Sequence, residues 1–268
     1  MSKTESIIPP QADQTSLPRP RLIWREGRGR VGASTIICVL IELAMRAGRR
    51  NLIAADGDYH NQTVSRSLTH YGEIVRKPPK LRDLESLKNW TFGIIGEASQ
   101  PGRTTLLDMG GNDSMPERLA EDIDLPEALT EAGIEPIVYS FVGRGSDDIL
   151  NAHEAWKRGG FSNVQKRVLF LNGGVGQPIT DAAHIMEIFM KDARVREMVS
   201  TGAVPIAVPY LASLAKMEQE EYSIFDAMDG KTTKSGQAQS IFWRPMARKW
   251  LETFEENVRQ SARPDLLP

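Results

Sequence analysis

The chain has 268 residues, a formal net charge of −2 at pH 7, and 40% hydrophobic and 25% charged residues. This is an ordinary globular composition, and the length suits one large domain or two small ones. The chain has no excess of basic residues of the kind that would indicate a nucleic-acid-binding protein. The single cysteine, Cys38, cannot form an internal disulfide, and no apolar run approaches the roughly 18 to 20 residues that cross a bilayer. The N-terminus also lacks the basic-then-apolar layout of a signal peptide, so we expect a cytoplasmic protein without a membrane span.

The N-terminal residues predict a tail rather than a folded element. Residues 1–19 are mostly polar and include Pro9, Pro10 and Pro18, which is typical of a flexible segment. The tail could be a solvated leader or an arm that binds a partner. Because no linker interrupts the rest of the chain, residues 20–268 are predicted to form a single α/β domain.

Apolar runs and amphipathic segments then alternate along the chain. Runs typical of buried strands occupy residues 21–26, 51–56, 104–109, 136–141, 167–172 and 204–209. Helical periodicity is found over residues 34–48, 146–160, 181–200 and about 246–259. The pattern weakens between residues 71 and 102, where the basic stretch 76–83 is predicted to be a surface loop. This alternation predicts a mainly parallel sheet with helices on both faces, and ligands beyond the carboxyl ends of its strands.

A glycine-rich turn joins the first predicted strand to the first helix. Its residues 27–35, GRGRVGAST, which we call the glycine loop, place Gly27, Gly32 and Ser34 as in the pattern G-x-x-x-x-G-K-[S/T]. That pattern binds phosphate because glycines let backbone N–H groups converge at a helix N-terminus. Ala33 stands where the pattern has its phosphate-binding lysine. The segment is therefore also compatible with a turn that binds no nucleotide.

Two arginines of the glycine loop could supply the missing charge. Arg28 occupies the place of the signature lysine found in a deviant form of this loop, and a guanidinium suits phosphate oxygens. Arg30 replaces a glycine where the backbone should pass close to the ligand. Its side chain could turn to the phosphates or to solvent.

Three segments, taken in order, carry a resemblance to a known family. The glycine loop, AADGDYHNQT at residues 54–63 and TTLLDMGGND at residues 104–113 resemble the phosphate loop, the D-x-D segment and the Walker B strand of the ParA/MinD group of P-loop ATPases. Within that group the second motif is similar to that of the TraL/StbB-like proteins of plasmid conjugation and stability. The resemblance spans residues 21 to about 211 and departs from the family at Arg28, Arg30 and Ala33.

The resemblance implies a P-loop NTPase (Rossmann-like) fold, an adenine nucleotide, ATP or ADP, and Mg²⁺. Asp58 and Arg28 would be the catalytic residues, Asp58 near the attacking water and Arg28 on the phosphates. Mg²⁺ would be held by Ser34, Asp58 and Asp108. The residues that would contact the nucleotide are Gly27, Arg28, Gly29, Arg30, Val31, Gly32, Ala33, Ser34, Thr35 and Asn172.

Several of these positions keep a plain structural interpretation. Asp56, beside the D-x-D segment, could be a ligand or a turn-forming cap. Gly110 and Gly111 could form a switch that senses phosphate or an ordinary turn. Asn172 could read the adenine edge through its amide or simply end a strand, and residues 208–223 resemble the loop that flanks the base.

Two classes of function remain open from the sequence. The first is a nucleotide-binding switch in plasmid transfer or maintenance, with plasmid transfer or stability proteins as partners and a nucleotide-dependent homodimer. Hydrolysis would be slow or absent, because Ala33 removes the charge that neutralises the transferring phosphoryl group. The second is a nucleotide-free pseudo-ATPase adaptor that binds a protein partner or DNA. Non-specific DNA binding would use Arg46, Arg49, Arg50 and the stretch 76–83.

Overall fold

A computed structural model describes residues 18–81, 83–111, 115–233, 240–261 and 263–268. The predicted tail therefore lies outside the described residues except for Pro18 and Arg19, as do the last two residues of the Walker B-like segment. Pro18 is attached to the domain, since its carbonyl accepts a hydrogen bond from Gly102 N at 2.9 Å. No helix in the described ranges is long and apolar enough to cross a membrane.

Seven parallel strands form one sheet in the described part of the chain. Their order is β3-β2-β4-β1-β5-β6-β7, which places β1 at the centre between β4 and β5. The predicted α/β class with a mainly parallel sheet is confirmed. The strands are β1 Arg21–Glu26, β2 Leu52–Asp56, β3 Val75–Arg76, β4 Thr104–Asp108, β5 Glu135–Val142, β6 Arg167–Asn172 and β7 Val204–Val208.

Helices connect the strands and cover the sheet. The first begins within the glycine loop, at Ala33, and the last packs against the same face of the sheet near β7. They are α1 Ala33–Arg46, α2 Thr63–Ser67, α3 Leu84–Ala98, α4 Met115–Ala120, α5 Leu125–Glu131, α6 Ser146–Arg158, α7 Ala182–Phe189, α8 Ala193–Ser200, α9 Leu214–Gln219, α10 Ile224–Asp229 and α11 Trp243–Gln260. Short 3₁₀ turns occupy Thr69–Tyr71 and Pro264–Leu266.

Two helical predictions differ from the structure. α3 was not expected, because only Thr91, Ile94 and Ala98 of this helix are buried and its apolar stripe is correspondingly thin. The single helix predicted over residues 181–200 is two helices. Asp192 interrupts it: the Asp192 carboxylate accepts a hydrogen bond from Arg194 N at 2.8 Å and caps the start of α8.

Strand parity assigns side chains to the two faces. Ile23, Ala54 and Leu106 pack under α1 and α11, whereas Leu22, Trp24 and their neighbours pack against α3, α4 and α5. Both faces therefore hold a buried apolar layer, as the continuous apolar strands predicted. On the α1 face, the same parity places Arg25, Asp56 and Asp108 at the carboxyl ends of β1, β2 and β4.

The C-terminal residues pack against the central strands β1 and β5. Tyr139 Oη donates to Leu266 O at 2.7 Å, and Arg21 Nη1 donates to Asp265 O and Leu267 O at 2.7 and 3.0 Å. Leu266 and Leu267 are buried. The start of the central strand is thus held by the last described residues of the chain.

Candidate functional site

A cavity of about 1020 Å³ lies beyond the carboxyl ends of the strands, at the N-terminus of α1. Its walls come from the glycine loop and from the segments that follow β2, β4, β6 and β7. This is the position at which open parallel sheets bind ligands. Residues 208–223 line one wall, and they include the helix α9 rather than forming only a loop.

The backbone of the glycine loop is shaped for an anion. Gly27 and Gly32 have φ values of +117° and +79°, and a Cβ on Gly27 would lie 2.9 Å from Phe141 O. The first hydrogen bond of α1 runs from Ile36 N to Gly32 O at 3.1 Å. The backbone N–H groups that precede Ile36 in α1 therefore have no intrahelical acceptor. They give the helix N-terminus a partial positive charge at the cavity.

The two arginines of the glycine loop have different surroundings. Arg28 Nη1 lies 3.6 Å from Asp147 Oδ2 and 3.7 Å from Asp148 Oδ1, at the start of α6. Of the described residues, those lining the cavity include Arg30 but not Arg28. Arg30 has a left-handed backbone conformation with φ of +67°, which is unfavourable for residues other than glycine. The structure thus places Arg30 at the cavity, whereas the predicted Arg28 is paired with the start of α6.

The first residues of α1 offer little charge to a phosphate. Ala33 is buried and supplies no cation, while Ser34 lines the cavity. Thr35 also lines it, but Thr35 Oγ1 donates a hydrogen bond to Glu218 Oε1 of α9 at 2.9 Å. That carboxylate ties the glycine loop to the opposite wall of the cavity.

Asp58 lies at the cavity in a tight turn. Asp58 Oδ1 accepts hydrogen bonds from His60 N and Asn61 N at 2.8 and 2.9 Å, which fixes the carboxylate. A Cβ on Gly110 would lie 2.8 Å from Asp58 Oδ2, and a Cβ on Gly111 would overlap the backbone of Gly29. The two glycines after β4 are therefore required because this segment passes against both Asp58 and the glycine loop.

A buried ion pair lies directly beneath the glycine loop. Trp24 pairs with Leu107 in the β1–β4 ladder, so Arg25 and Asp108 follow as neighbours on the α1 face. Arg25 Nη1 lies 3.6 Å from Asp108 Oδ1, and their side chains are 4% and 2% exposed. Arg25 Nη2 also donates to Arg28 O at 3.0 Å. The motif spacing does not indicate Arg25, although a charged residue within the apolar strand RLIWRE is a signal in the sequence itself.

Asp56 pairs in register with Asp108 on the neighbouring strand. Its carboxylate accepts hydrogen bonds from Ser65 N at 2.7 Å and from Asp58 N at 3.3 Å, so it caps the turn into α2. Burial raises the pKa of Asp56 to about 6, and the nearby Asp108 adds to this shift. Of the two interpretations of Asp56, the contacts favour the structural cap.

The predicted Mg²⁺ ligands Ser34, Asp58 and Asp108 differ in how far other protein groups already engage them. Asp108 Oδ1 faces the Arg25 guanidinium and accepts from Gly110 N at 3.2 Å, so its charge is already compensated. Asp58 Oδ1 accepts two backbone hydrogen bonds in its turn, whereas Asp58 Oδ2 and the Ser34 hydroxyl make no hydrogen bond within the described part of the chain. Within the described ranges, no group of three or more His, Cys, Asp and Glu side chains could hold a metal ion.

Asn172 joins the end of β6 to the glycine loop. Asn172 Nδ2 donates to Val31 O at 2.7 Å, and Asn172 Oδ1 accepts from Gly174 N at 2.7 Å. A Cβ on Gly32 would lie 2.7 Å from the same Nδ2 atom. The side chain lines the cavity, and the predicted adenine contact would have to use the second N–H and the second lone pair of the amide.

Comparisons with known proteins give structural neighbours only. No protein-family model matches the chain, and no curated protein matches it. Among solved structures, the MinD cell division protein of Aquifex aeolicus is 12% identical with a TM-score of 0.49, covering 87% of this chain and 97% of that one. MinD in the MinC:MinD complex of the same organism is 11% identical, with a TM-score of 0.49 and coverage of 87% and 96%. FlhF complexed with GMPPNP and Mg²⁺ is 13% identical, with a TM-score of 0.32 and coverage of 62% and 61%. At these identities the likeness concerns the fold alone.

Proposed function

We propose that this protein is a ParA/MinD-like switch that binds an adenine nucleotide, ATP or ADP, and hydrolyses it weakly or not at all. The backbone of the glycine loop is the observation that carries the proposal. Gly27 and Gly32 adopt positive φ values at the N-terminus of α1, and this end of the helix opens into a cavity of about 1020 Å³. A cavity of this size holds a ligand as large as a nucleotide.

Arg30 is the residue we expect to bind the phosphates. It lines the cavity beside the start of α1, and its guanidinium can donate two parallel hydrogen bonds to phosphate oxygens. Arg28 is turned toward Asp147 and Asp148 instead. The proposed charge on the phosphates therefore comes from a position that replaces a glycine of the resembled family.

Weak hydrolysis follows from the same geometry. The residue at the lysine position, Ala33, brings no charge to the transferring phosphoryl group, whose stabilisation is mainly electrostatic. Arg25 is engaged with Asp108 and with the carbonyl of Arg28. A purified sample that turned ATP over at the rate of an intact P-loop enzyme would contradict this part of the proposal.

The biological setting is the narrower part of the proposal. The sequence resemblance to TraL/StbB-like proteins supports a role in plasmid transfer or maintenance, with a transfer or stability protein as partner. Nucleotide binding would change the affinity for that partner, through a dimer whose interface includes the cavity. Light scattering of the purified chain with and without ATP tests this step: we expect the molar mass to double with ATP, and an unchanged mass would reject the dimer.

Calorimetric titration of the nucleotide-stripped chain with ATP and MgCl₂ tests the binding itself. We expect a micromolar Kd, weakened about tenfold in Arg30→Ala. Arg28→Ala, the matched control in the same loop, should change the Kd less than about twofold, because an exposed ion pair contributes little. Equal losses in the two variants would contradict the assignment of Arg30.

Absence of binding in folded protein would favour the second candidate, a nucleotide-free adaptor. Specific contacts support it as well: Ala33 removes a cation, and the Asn172 amide is bonded to Val31 O and Gly174 N. Under that interpretation the glycine loop is a structural turn, and a protein partner or DNA is bound elsewhere.

A further inference from the structure

The buried pair of Arg25 and Asp108 lies beneath the glycine loop, and Asp108 is one of the predicted Mg²⁺ ligands. Asp108 is the last residue of β4 and Arg25 is the last but one of β1, and both are on the face of the sheet that carries α1. Arg25 is 5% exposed and Asp108 is 1% exposed, yet Arg25 reaches the cavity wall. The floor of the site therefore contains a buried ion pair.

Two contacts of Arg25 affect a phosphate ligand. Its Nη1 atom lies 3.6 Å from Asp108 Oδ1, which compensates the carboxylate charge. Its Nη2 atom donates to Arg28 O at 3.0 Å. This hydrogen bond holds a carbonyl of the glycine loop toward the floor, so the loop presents backbone N–H groups to the cavity instead.

The same pair disfavours a metal ion at Asp108. Mg²⁺ needs oxygen ligands in near-octahedral geometry and usually keeps several waters around it. An ion held by Asp108, directly or through water, would lie close to a buried guanidinium in a poorly screened environment, where like charges repel strongly. Moving Asp108 away from Arg25 would in turn remove a carboxylate that offsets this buried guanidinium charge, which is unfavourable.

We propose that this site binds the phosphates of its nucleotide without a divalent cation, with Arg25 as the residue that compensates Asp108 and positions the glycine loop. The inference rests on the proposed function, since it concerns the same ligand. The positive charge that faces the phosphates then comes from Arg30 and from the N-terminus of α1. Arg25 is a positioning residue, because it acts through Asp108 and the backbone of Arg28.

The wild-type protein gives the first test. The Kd for ATP is measured by calorimetry in excess EDTA and in excess MgCl₂. We expect the two values to agree within about threefold, and binding tightened about tenfold or more by MgCl₂ would overturn the inference while leaving the proposed function intact. No binding in either buffer would reject the proposed function, and the inference would fall with it.

Asp108→Asn separates the two roles of the carboxylate. If Asp108 serves only to pair with Arg25, this variant leaves a less compensated guanidinium beneath the loop. ATP binding in EDTA should then be unchanged or tighter. If Asp108 instead supports a metal ion, the variant should weaken ATP binding about tenfold in MgCl₂, which would contradict the inference.

Arg25→Met removes the charge but keeps an apolar stem, and it should weaken ATP binding in EDTA about tenfold. Because Asp108 would be left uncompensated, MgCl₂ should restore part of the affinity in this variant alone. Arg167→Met is the matched control: Arg167 is also buried, with Nη1 3.5 Å from Glu26 Oε2, but it does not line the cavity in the described part of the chain. We expect its Kd to be unchanged in both buffers. If Arg25→Met does not fold, the wild-type and Asp108→Asn measurements still decide.

Discussion

Gly111 shows how single positions shape the cavity edge. This residue lies where the segment after β4 touches the glycine loop, and no side-chain carbon fits there because of the Gly29 backbone. Gly27 and Gly32 are restricted in the same way by Phe141 O and Asn172 Nδ2. Three chain segments thus meet the loop closely, two of them through backbone atoms and the third through the side chain of Asn172. Small substitutions at this edge should therefore act on the backbone of the loop rather than on its surface.

Gly111→Ala should destabilise the fold and loosen the glycine loop. The new Cβ would overlap the backbone of Gly29, and overpacking of this kind costs about 1–3 kcal/mol. Gly93→Ala is the matched control, because Gly93 is exposed within α3 with no atom near its Cβ position. That change should stabilise by about 0.5–1 kcal/mol, since alanine favours the helix. Urea unfolding measures both, and a neutral Gly111→Ala would contradict the close approach.

Asp56 predicts a pH dependence of stability. Its pKa is raised from 3.8 to about 6 in the folded chain, so the folded state binds the proton more tightly than the unfolded state. The free energy of unfolding should therefore fall as pH rises from about 4 to above 6, by on the order of 2–3 kcal/mol for this group.

Asp56→Asn isolates that contribution, because asparagine does not titrate. We expect the stability of this variant relative to wild type to increase between pH 4 and pH 7, measured by urea unfolding in EDTA. Ser86→Ala provides a control in which one cap hydrogen bond to the Asp83 carboxylate is lost at an exposed site. If the difference in the free energy of unfolding between wild type and Asp56→Asn does not change with pH, the pKa of Asp56 is not raised.

At the scale of secondary-structure elements, the sequence predicts those elements that contain long apolar runs. Six strands were found within a residue or two of their ends, since continuous burial leaves a strong pattern. The two-residue strand β3 and the helix α3 were missed, because β3 is too short for a pattern and α3 buries few side chains. The split between α7 and α8 depends on one cap, Asp192, within an otherwise continuous amphipathic stretch.

The candidate site was predicted less completely than the fold. The motif spacing located the glycine loop, Asp58 and Asn172 at one cavity, because parallel strands bring their carboxyl ends together. It did not give the direction of side chains: Arg28 turns to α6, and Arg25 to Asp108. Those directions depend on carboxylates that are distant in the sequence, so a local pattern does not contain them.

The helix α11 contributes a prediction at this scale. Trp250 of this helix is buried, and Trp250 Nε1 donates to Pro209 O in the cavity wall at 2.7 Å. Trp250→Phe keeps most of the apolar contact but leaves this carbonyl without its donor, which should cost about 1–3 kcal/mol. Lys249→Ala, at the exposed neighbouring position, should change stability by less than about 0.5 kcal/mol. Thermal unfolding compares them, and equal melting temperatures would contradict a structural role for this hydrogen bond.

At the scale of the whole molecule, the central strand β1 connects the candidate site at one end of the sheet with the C-terminal residues at the other. Its carboxyl end leads into the glycine loop and carries Arg25, while its first residue, Arg21, is bonded to the carbonyls of Asp265 and Leu267. Leu266 is 1% exposed beneath the same region. The C-terminal residues should therefore contribute to global stability rather than only to local order.

Leu266→Ala tests this contribution. Removing a fully buried leucine side chain should lower the free energy of unfolding by about 2–3 kcal/mol. Arg263→Ala is the nearby control, because Arg263 is exposed and pairs only locally with Asp265 among its described contacts. That change should cost less than about 1 kcal/mol. If urea unfolding shows the same loss for both variants, the C-terminal segment does not support the core.

The anchoring of β1 by residues 265–267 also determines when the domain can be completed during synthesis. β1 precedes its neighbours β4 and β5 in the chain, and the carbonyl acceptors of Arg21 are synthesised later than both. Until then the nascent chain carries an apolar central strand with some of its partners missing. We therefore expect the domain to finish folding only after residues 265–267 are released, with its early intermediates as substrates for chaperones that bind unpaired apolar strands.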